Sequence, residues 1–166
     1  RADDAPYLVP WWQGRGGLLD VTNPSALEWF FGRLNQLQVK TGCDGFKFDA
    51  GEACFLPDDA VTYQKIHPNE YSNIYVAAVT KHHRLTEVRS GWLNQHAPIF
   101  FRQWDKTTSW GLDNGLHSVL TGALAMSLAG YPFILPDMVG GNEYDEKADA
   151  DMMIRWTQVN ALLPSI

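Results

Sequence analysis

Apolar positions along the chain follow two periods, a helical one of three to four residues and a strand-like one of two. Asn23 and Pro24 predict a helix start, because Asn is a favoured capping residue and Pro suits the first turn. Gly42 predicts the end of the same helix. The apolar residues that recur between these points are Leu27, Phe30, Phe31, Leu34 and Leu37. An amphipathic helix is therefore the first regular element that the pattern predicts.

Strands and helices then alternate along the chain. Strands are predicted over residues 45–49, 85–88, 98–101 and 132–135, and further helices over residues 69–83, 116–128 and 148–163. In the first of these further helices, Ile74, Ala77 and Ala78 are expected to form the inner face. The alternation indicates an α/β fold built from parallel βαβ units. Four such strands fit either half of an eightfold barrel or an open doubly wound sheet, and periodicity leaves both open.

Composition narrows the classes of function. The 166 residues are 45% hydrophobic and 19% charged, which is typical of a globular chain with one sizeable core. The 13 basic residues are scattered among 19 acidic ones, for a formal net charge of -6, so nucleic acid is not an expected partner. No apolar run reaches the roughly 18 residues that a membrane span requires. The sequence leaves the oligomeric state open.

Metal and cofactor chemistry has no motif in this sequence. Walker-type and dinucleotide-type glycine loops are absent, and none of the five histidines pairs with another at zinc spacing beside an acid. The histidines are expected at surface or capping positions, and no cofactor or metal is predicted. Cys43 and Cys54 lack ligand spacing and are expected to be small buried side chains. A disulfide between them is left open.

Candidate chemical groups lie where the predicted strands end. Asp49 closes the strand over residues 45–49, just before Gly51, and Arg89 follows the next strand. Asp105 and Asp137 follow the last two strands. In a (β/α) barrel the carboxyl ends of the strands gather on one face, where catalysis takes place. Two carboxylates framed by aromatic residues favour glycoside hydrolysis, although a turn-capping role explains a lone aspartate at a strand end equally well.

Four longer motifs carry a family resemblance. They are residues 17–24 (GLLDVTNP), 44–49 (DGFKFD), 89–92 (RSGW) and 131–141 (YPFILPDMVGG). In this order they resemble glycoside hydrolase family 31, the retaining α-glycosidases, over essentially the whole chain, and most closely an animal branch of it. The resemblance implies an α/β fold that is part, roughly strands 3–7, of a (β/α)8 TIM-type barrel. Residues 1–166 would form one partial catalytic domain of a longer protein.

The resemblance also implies an activity. It would be the hydrolysis of O-glycosyl bonds in an α-linked glycoside by a retaining double displacement, with α-galactosidase-like or α-glucosidase-like specificity. A catalytically silent carbohydrate-binding or scaffolding homologue is the alternative. The relatives suggest a membrane-anchored parent protein in the endoplasmic reticulum or secretory pathway. Because half a barrel leaves strand edges unpaired, the isolated piece is expected to be inactive.

The catalytic pair is assigned from the resemblance. Asp49 would be the nucleophile that forms a covalent glycosyl-enzyme, and Asp105 would act first as general acid and then as base. Burial against Trp104 and Trp110 is expected to raise the pKa of Asp105, so that this carboxyl holds a proton before the leaving group departs. Trp104 itself stands where the family usually has glycine.

Asp113 competes with Asp105 for the acid/base role. The common family pattern is Gly-Asp-Asn after the sixth strand, and Asp113 with its following Asn matches it superficially. In some branches the acid instead lies five residues before a Trp and eleven before a Leu. Asp105 has this spacing to Trp110 and Leu116. We therefore favour Asp105, and we expect Asp113 to cap the helix that follows.

Four other side chains are candidates for substrate binding. Arg89 would donate to sugar hydroxyls, or else form a salt bridge at a strand end. Asp137 would bind hydroxyls or orient Arg89, unless it only serves a turn. Lys47 projects to the same side of its strand as Asp49 and would keep that carboxylate ionised. Trp12, at the expected end of the third barrel strand, is a candidate platform for a sugar ring or else a core residue.

Overall fold

The computed structural model describes residues 6–165, which form six strands and four α-helices. The strands are β1 (Leu8–Pro10), β2 (Arg15–Gly17), β3 (Gly45–Phe48), β4 (Leu85–Val88), β5 (Phe100–Arg102) and β6 (Ile134–Leu135). The helices are α1 (Pro24–Thr41), α2 (Pro68–His82), α3 (Leu116–Leu128) and α4 (Ala150–Asn160). None of the helices in this part of the chain is long and apolar enough to span a membrane.

The main sheet is built from β3 to β6. Its strands follow the order β3-β4-β5-β6, which is also their order along the chain. β4 and β5 are parallel, with Glu87 opposite Phe100, and β5 and β6 are parallel, with Phe101 opposite Ile134. Helices lie between most of these strands in sequence, as the alternating pattern predicted. Consecutive strands that are neighbours in a parallel sheet are the arrangement of a (β/α) barrel.

Local sequence signals determine where α1 and α2 begin and end. The Asn23 side chain accepts a hydrogen bond from the Ser25 amide at 3.0 Å, and Gly42 ends α1 with a φ of 71°. Both ends of α1 are therefore as predicted. His67 caps α2 and forms a reciprocal capping box with Glu70, which agrees with the capping role expected for a histidine.

Contacts divide the chain into two compact units. The first unit holds the described residues up to Thr86 together with Ser90–Asn94, and the second holds Glu87–Arg89 and the residues from Gln95 onward. Fully or nearly fully buried apolar residues of the first unit include Val21, Phe31, Phe48, Val76 and Val79. The core of the second unit is formed by Leu116, Val119, Met152 and Trp156.

The inner face of α2 differs from the prediction. The buried residues of this helix are Tyr71, Ser72, Tyr75, Val76 and Val79. Ala77 is exposed instead, and Ile74 and Ala78 are only partly buried. Because alanine removes little apolar area from water, the larger tyrosine and valine side chains decide which face of the helix packs inward.

A hairpin occupies the segment where the resemblance placed the end of a third barrel strand. β1 and β2 are antiparallel, with Val9 opposite Gly16. The turn between them is closed by a hydrogen bond from the Trp11 amide to the Gly14 carbonyl at 2.9 Å. Gly14 has a φ of 82°, a conformation that glycine adopts without a steric penalty. The chain therefore reverses here instead of continuing as a strand of the main sheet.

The burial of both cysteines and of one histidine also differs from expectation. Cys43 is only partly buried, Cys54 is exposed, and both are free thiols. The neighbour of Cys54, Phe55, makes the inward contact instead, with its ring 4.8 Å from that of Trp11. His83 is buried among phenylalanine rings of the first unit, where its flat ring packs like an aromatic residue.

Candidate active site

Burial alternates along β3 and positions Asp49. Phe48 is buried, whereas Lys47 and Asp49 are exposed. Phe48 lies on the same side as Phe46, and its ring is 6.4 Å from the ring of Tyr75 on α2. Lys47 and Asp49 therefore lie on the side of the strand opposite the helix, as the two-residue period predicted.

The turn after Asp49 is held by α2. Ala50 and Gly51 both have positive φ values, 58° and 86°. A side chain at Gly51 would collide with the Tyr75 ring, so glycine is required there. The Tyr75 hydroxyl donates to the Asp49 carbonyl at 3.2 Å, and the Ser72 hydroxyl donates to the Gly51 carbonyl at 2.7 Å. A non-glycine residue in this conformation beside a candidate catalytic group is the kind of strain found at functional sites.

A cavity of about 180 Å³ lies beside Asp49 within the first unit. Its lining includes Trp11, Phe30, Asp49, Glu52, Phe55 and Tyr75. Burial raises the pKa of Tyr75, and the neighbouring Tyr71, Asp49 and Glu52 add to this effect. The Tyr75 hydroxyl therefore stays protonated and acts as a donor. The cavity offers two carboxylates, Asp49 and Glu52, among aromatic rings, which suits a sugar ring.

The aromatic wall of this cavity comes from Trp11, which the sequence reasoning missed. Trp11 lines the cavity, and Trp12 stacks on it with ring centroids 4.5 Å apart. Trp12 is 57% exposed, so it is not the core residue that was the competing interpretation. The two adjacent tryptophans were the sequence signal for an aromatic wall, but the hairpin turn decides which of the two rings lines the cavity beside Asp49.

Asp105 lies in the second unit, three residues beyond the end of β5. Its Oδ1 accepts a hydrogen bond from Arg102 Nη1 at 3.1 Å and lies 3.5 Å from Arg89 Nη1. Its Oδ2 accepts from the Tyr144 hydroxyl at 2.8 Å. The Asn114 side chain donates to the Asp105 carbonyl at 2.9 Å and so fixes the backbone. Both oxygens of the carboxylate are engaged by donors.

These donors reverse the expected pKa of Asp105. Burial raises it, but the Tyr144 hydrogen bond and the charges of Arg102 and Arg89 together lower the pKa below its ordinary value. Trp104 and Trp110, which were expected to bury the carboxylate, are both exposed. The expectation of a raised pKa is therefore wrong for the protein without substrate, because the Tyr144 hydrogen bond and the nearby cations together outweigh the burial.

Asp137 pairs with Arg102. Its carboxylate is buried, and it accepts from Arg102 Nη1 at 2.9 Å and from the Lys106 amide at 2.8 Å. The Asn142 side chain donates to the same carboxylate. Asp137 thus orients the arginine that contacts Asp105, whereas the sequence reasoning gave it sugar hydroxyls or Arg89 as partners. Its burial and its three donors make it a supporting group.

Lys106 secures the turn that carries Asp105. Its side chain is buried, and Nζ donates to the Ser118 hydroxyl on α3 at 3.0 Å. Burial lowers the pKa of Lys106, and the nearby Asp137 charge opposes this effect. Asp105 is therefore followed directly by a residue tied both to α3 and, through its amide, to Asp137.

Arg89 and Arg102 both follow or end strands, but only the first was predicted. Arg89 has a side chain 10% exposed, and its guanidinium carbon lies 5.5 Å from the centre of the Trp104 ring. Arg102 ends β5 after two phenylalanines and is 5% exposed. A charged residue directly after a predicted strand, residues 85–88 for Arg89 and 98–101 for Arg102, was the signal for both. Tyr144 had no comparable signal, because it lies in an irregular loop.

Asp113 does not cap α3. The N-cap of this helix is Gly115, which provides no side-chain hydrogen bond. Asp113 lies in an exposed turn two residues earlier. The expected capping role is therefore wrong. The N-cap position of α3 falls on Gly115, two residues after Asp113, so the Asp113 carboxylate is not placed to accept from the first helical amides. The assignment of Asp105 as the acid stays a prediction.

Arg102→Met is expected to destabilise the second unit by about 3–5 kcal/mol, because it leaves the buried Asp137 carboxylate without its cation. The matched control is Arg155→Met, since Arg155 forms an exposed pair with Asp151 at 3.3 Å. That substitution is expected to cost about 0–1 kcal/mol. Hydrogen exchange at the amides of β5 and β6 in the full-length protein measures the difference. Equal effects of the two substitutions would contradict the stabilising role of the Arg102 pair.

Metal binding finds no support in the described geometry. No group of three or more His, Cys, Asp or Glu residues between positions 6 and 165 is arranged to hold an ion. The carboxylates at the ends of β5 and β6 are paired with arginine instead.

Comparison with known proteins places these features in a family. The chain matches the domain described as the glycosyl hydrolases family 31 TIM-barrel domain over residues 1–166. The myogenesis-regulating glycosidase of Mus musculus is 40% identical over 97% of this chain. The sulfoquinovosidase of Escherichia coli is 27% identical over 98% of this chain. The alignments cover 24% and 26% of those relatives, so the chain spans about a quarter of their length.

A solved structure agrees with this match. A family 31 sulfoquinovosidase from E. rectale, in complex with an aza-sugar inhibitor, has a TM-score of 0.87 and 25% identity. The superposition covers 99% of this chain and 27% of that chain. The predicted fold, part of a (β/α)8 barrel, is thereby confirmed over the open doubly wound alternative. The animal relative also agrees with the branch that the motifs indicated. This chain belongs to glycoside hydrolase family 31, and it carries part of the TIM-barrel domain of that family.

Proposed function

We propose that the protein containing this chain hydrolyses α-linked glycosides with retention of anomeric configuration. The observation that carries the proposal is that Asp49 and Asp105 each follow the carboxyl end of a strand, β3 and β5 respectively. In barrels of this type that edge carries the catalytic groups. Membership in family 31 supports glycoside hydrolysis over other reactions of the same fold.

The two carboxylates have different roles in this proposal. Asp49 attacks the anomeric carbon and forms the glycosyl-enzyme ester while Asp105 gives its proton to the departing glycosidic oxygen. Asp105 then takes a proton from water, the water oxygen bonds to the anomeric carbon, and the ester bond to Asp49 breaks. A retaining mechanism requires the carboxyl groups to lie about 5–5.5 Å apart. That separation stays a prediction for the complete barrel.

Other side chains would bind the substrate. Lys47, exposed on the same side of β3 as Asp49, would place a positively charged donor on the substrate side of the strand. The Arg89 guanidinium lies 3.5 Å from the Asp105 carboxylate. From that position it would also donate hydrogen bonds to sugar hydroxyls. The stacked pair of Trp11 and Trp12 would provide the apolar platform for a sugar ring. Asp137 would act through Arg102 rather than on the sugar.

The proposed substrate is a neutral α-galactoside or α-glucoside. The experiment that tests the activity compares four classes of substrate. Full-length protein is incubated with α-galactosides, α-glucosides, α-xylosides and sulfoquinovosides, and proton NMR follows the first-formed sugar. The α-anomer is expected to appear first and to mutarotate later, because two inversions restore the configuration. A β-anomer as first product would contradict the retaining mechanism. Saturable sugar binding with no turnover of any class would favour the silent carbohydrate-binding alternative.

A further inference from the structure

The two oxygens of the Asp105 carboxylate have unlike partners. Oδ1 faces the cations Arg102 and Arg89, whose side chains are 5% and 10% exposed. Oδ2 accepts a hydrogen bond, at 2.8 Å, from the hydroxyl of Tyr144, a residue that is 63% exposed. The first oxygen is therefore held by buried, well-fixed groups. The second is held by a side chain that has room to move into solvent.

The backbone beside Tyr144 is anchored to the turn that carries Asp105. The Asn142 amide donates to the Lys106 carbonyl at 2.8 Å, and the Glu143 amide donates to the Thr108 hydroxyl at 3.0 Å. Glu143 also has a positive φ of 51°, a conformation uncommon for a residue with a side chain. Because these bonds fix the position of the loop, rotation of the Tyr144 side chain is enough to make or break its contact with Asp105.

This geometry matters for proton transfer to a leaving group, a role of Asp105 that rests on the proposed function. A general acid must present a protonated oxygen to the leaving group, within hydrogen-bond reach. Oδ1 is directed at the arginines, so Oδ2 is the oxygen that can meet a glycosidic oxygen. In the protein without substrate, that same oxygen is occupied by the Tyr144 hydroxyl.

We propose that Tyr144 is a positioning residue that occupies Oδ2 of Asp105 in the free protein and gives up that oxygen to the leaving group when substrate binds. The tyrosine donates a hydrogen bond and therefore favours the charged carboxylate. When the aglycone oxygen takes its place, Oδ2 loses a donor, and the proton needed for catalysis is held more readily. The arginine contacts to Oδ1 keep the carboxylate in place during the exchange.

The surrounding charges agree with this assignment. The groups that face Asp105 are Arg102 from the end of β5, Arg89 from the end of β4, and Tyr144 from the loop after β6, with Asp137 behind Arg102. Burial raises the pKa of Asp105, and the Tyr144 hydrogen bond is the largest single influence that lowers it, followed by the Arg102 hydrogen bond and by the charges of Arg102 and Arg89. The same hydrogen bond raises the pKa of Tyr144.

The test uses Tyr144→Phe in the full-length protein, with Tyr63→Phe as the control at another exposed tyrosine. Infrared difference titration against the matching Asp105→Asn protein measures the pKa of Asp105 without any need for turnover. We expect this pKa to rise in Tyr144→Phe and to stay unchanged in Tyr63→Phe, because only the first substitution removes a donor from the carboxylate. An unchanged pKa in Tyr144→Phe overturns the proposal.

The pH dependence of turnover tests the displacement by substrate. The alkaline limb of kcat/KM reports the acid in the free protein, and that of kcat reports the acid in the substrate complex. Tyr144→Phe is expected to move the kcat/KM limb to higher pH, because a raised pKa keeps Asp105 protonated up to a higher pH. The kcat limb is expected to stay in place. Equal movement of both limbs would show that Tyr144 stays bonded in the complex, which contradicts the proposal.

The two proposals fail in different ways. Turnover with no change in the infrared titration of Tyr144→Phe removes the positioning role and leaves the proposed hydrolysis intact. If the pKa of Asp105 shifts in Tyr144→Phe but the protein turns over none of the substrate classes, the proposed hydrolysis is wrong. The proposed exchange of Tyr144 with a leaving group is then wrong as well.

Discussion

Asp49→Ala is expected to lower turnover of every glycoside substrate by roughly 10⁴-fold or more, the scale on which loss of a catalytic side chain lowers turnover in other hydrolases. The physical reason is that the first displacement needs an ionised carboxylate at the anomeric carbon, and no glycosyl-enzyme forms without it. Azide added to the variant should restore part of the turnover, because a small anion fits the space left by the side chain. The product should be a glycosyl azide of inverted configuration, identified by NMR.

The matched control is Asp44→Ala. Asp44 is an exposed carboxylate that precedes β3, whereas Asp49 follows it, so the pair compares the two ends of one strand. The amino end of a barrel strand contributes to stability and not to chemistry, so Asp44→Ala should keep its turnover. Substantial activity of Asp49→Ala in the absence of azide, or an azide product with retained configuration, would remove Asp49 from the nucleophilic role.

Asp105→Ala is expected to act selectively. Substrates with poor leaving groups should lose about 10²- to 10⁴-fold in rate, because their departing oxygen needs a proton in the transition state. An aryl glycoside with a leaving group of low pKa needs little protonation, so its first step should survive. Hydrolysis of the intermediate also uses Asp105 as base, and the glycosyl-enzyme should therefore accumulate on Asp49. Mass spectrometry of the digested protein detects this adduct.

Asp113→Ala is the control for that experiment, because Asp113 is the rival candidate and lies exposed in the turn before α3. It should behave like the unmodified protein with every leaving group. The Asp105 assignment fails if its Ala variant shows no adduct and loses the same factor on good and poor substrates. A leaving-group dependence in Asp113→Ala would then transfer the acid/base role to that residue.

The charges around Asp105 show why an acid with a low pKa in the free protein is compatible with general acid catalysis. Arg102, Arg89 and Tyr144 all stabilise the ionised carboxylate. In the proposed mechanism the ionised form is required for the second step, in which Asp105 would remove a proton from water. The first step would need the protonated form, which the proposed release of a donor by substrate favours. Tyr144 is the exposed donor among the three.

The sequence by itself determined the elements whose signals are local. The cap at Asn23, the glycine at position 42 and the apolar period between them were enough to place α1. α3 and β4 were also placed correctly, at Leu116–Leu128 and Leu85–Val88, because α3 is rich in Leu and Ala and ends before a glycine, and β4 is a short segment that ends at a charged residue. The positions of Asp49 and Asp105 after strands followed from the same alternation, and the order of four motifs gave the family. Short-range steric and capping preferences act within a few residues, so a sequence displays them directly.

Only the tertiary structure decided what surrounds the candidate acid. Tyr144 reaches Asp105 across 39 positions of the chain, and Arg102 reaches Asp137 across 35. No local pattern records such pairs, because they depend on which loop lies beside which strand end once the parallel sheet has formed. For the same reason the hairpin, and not the Trp-Trp motif, decided that Trp11 lines the cavity. The pKa of Asp105 likewise follows from the balance of burial against two arginines and a tyrosine, and that balance exists only when these groups are brought together in the folded chain.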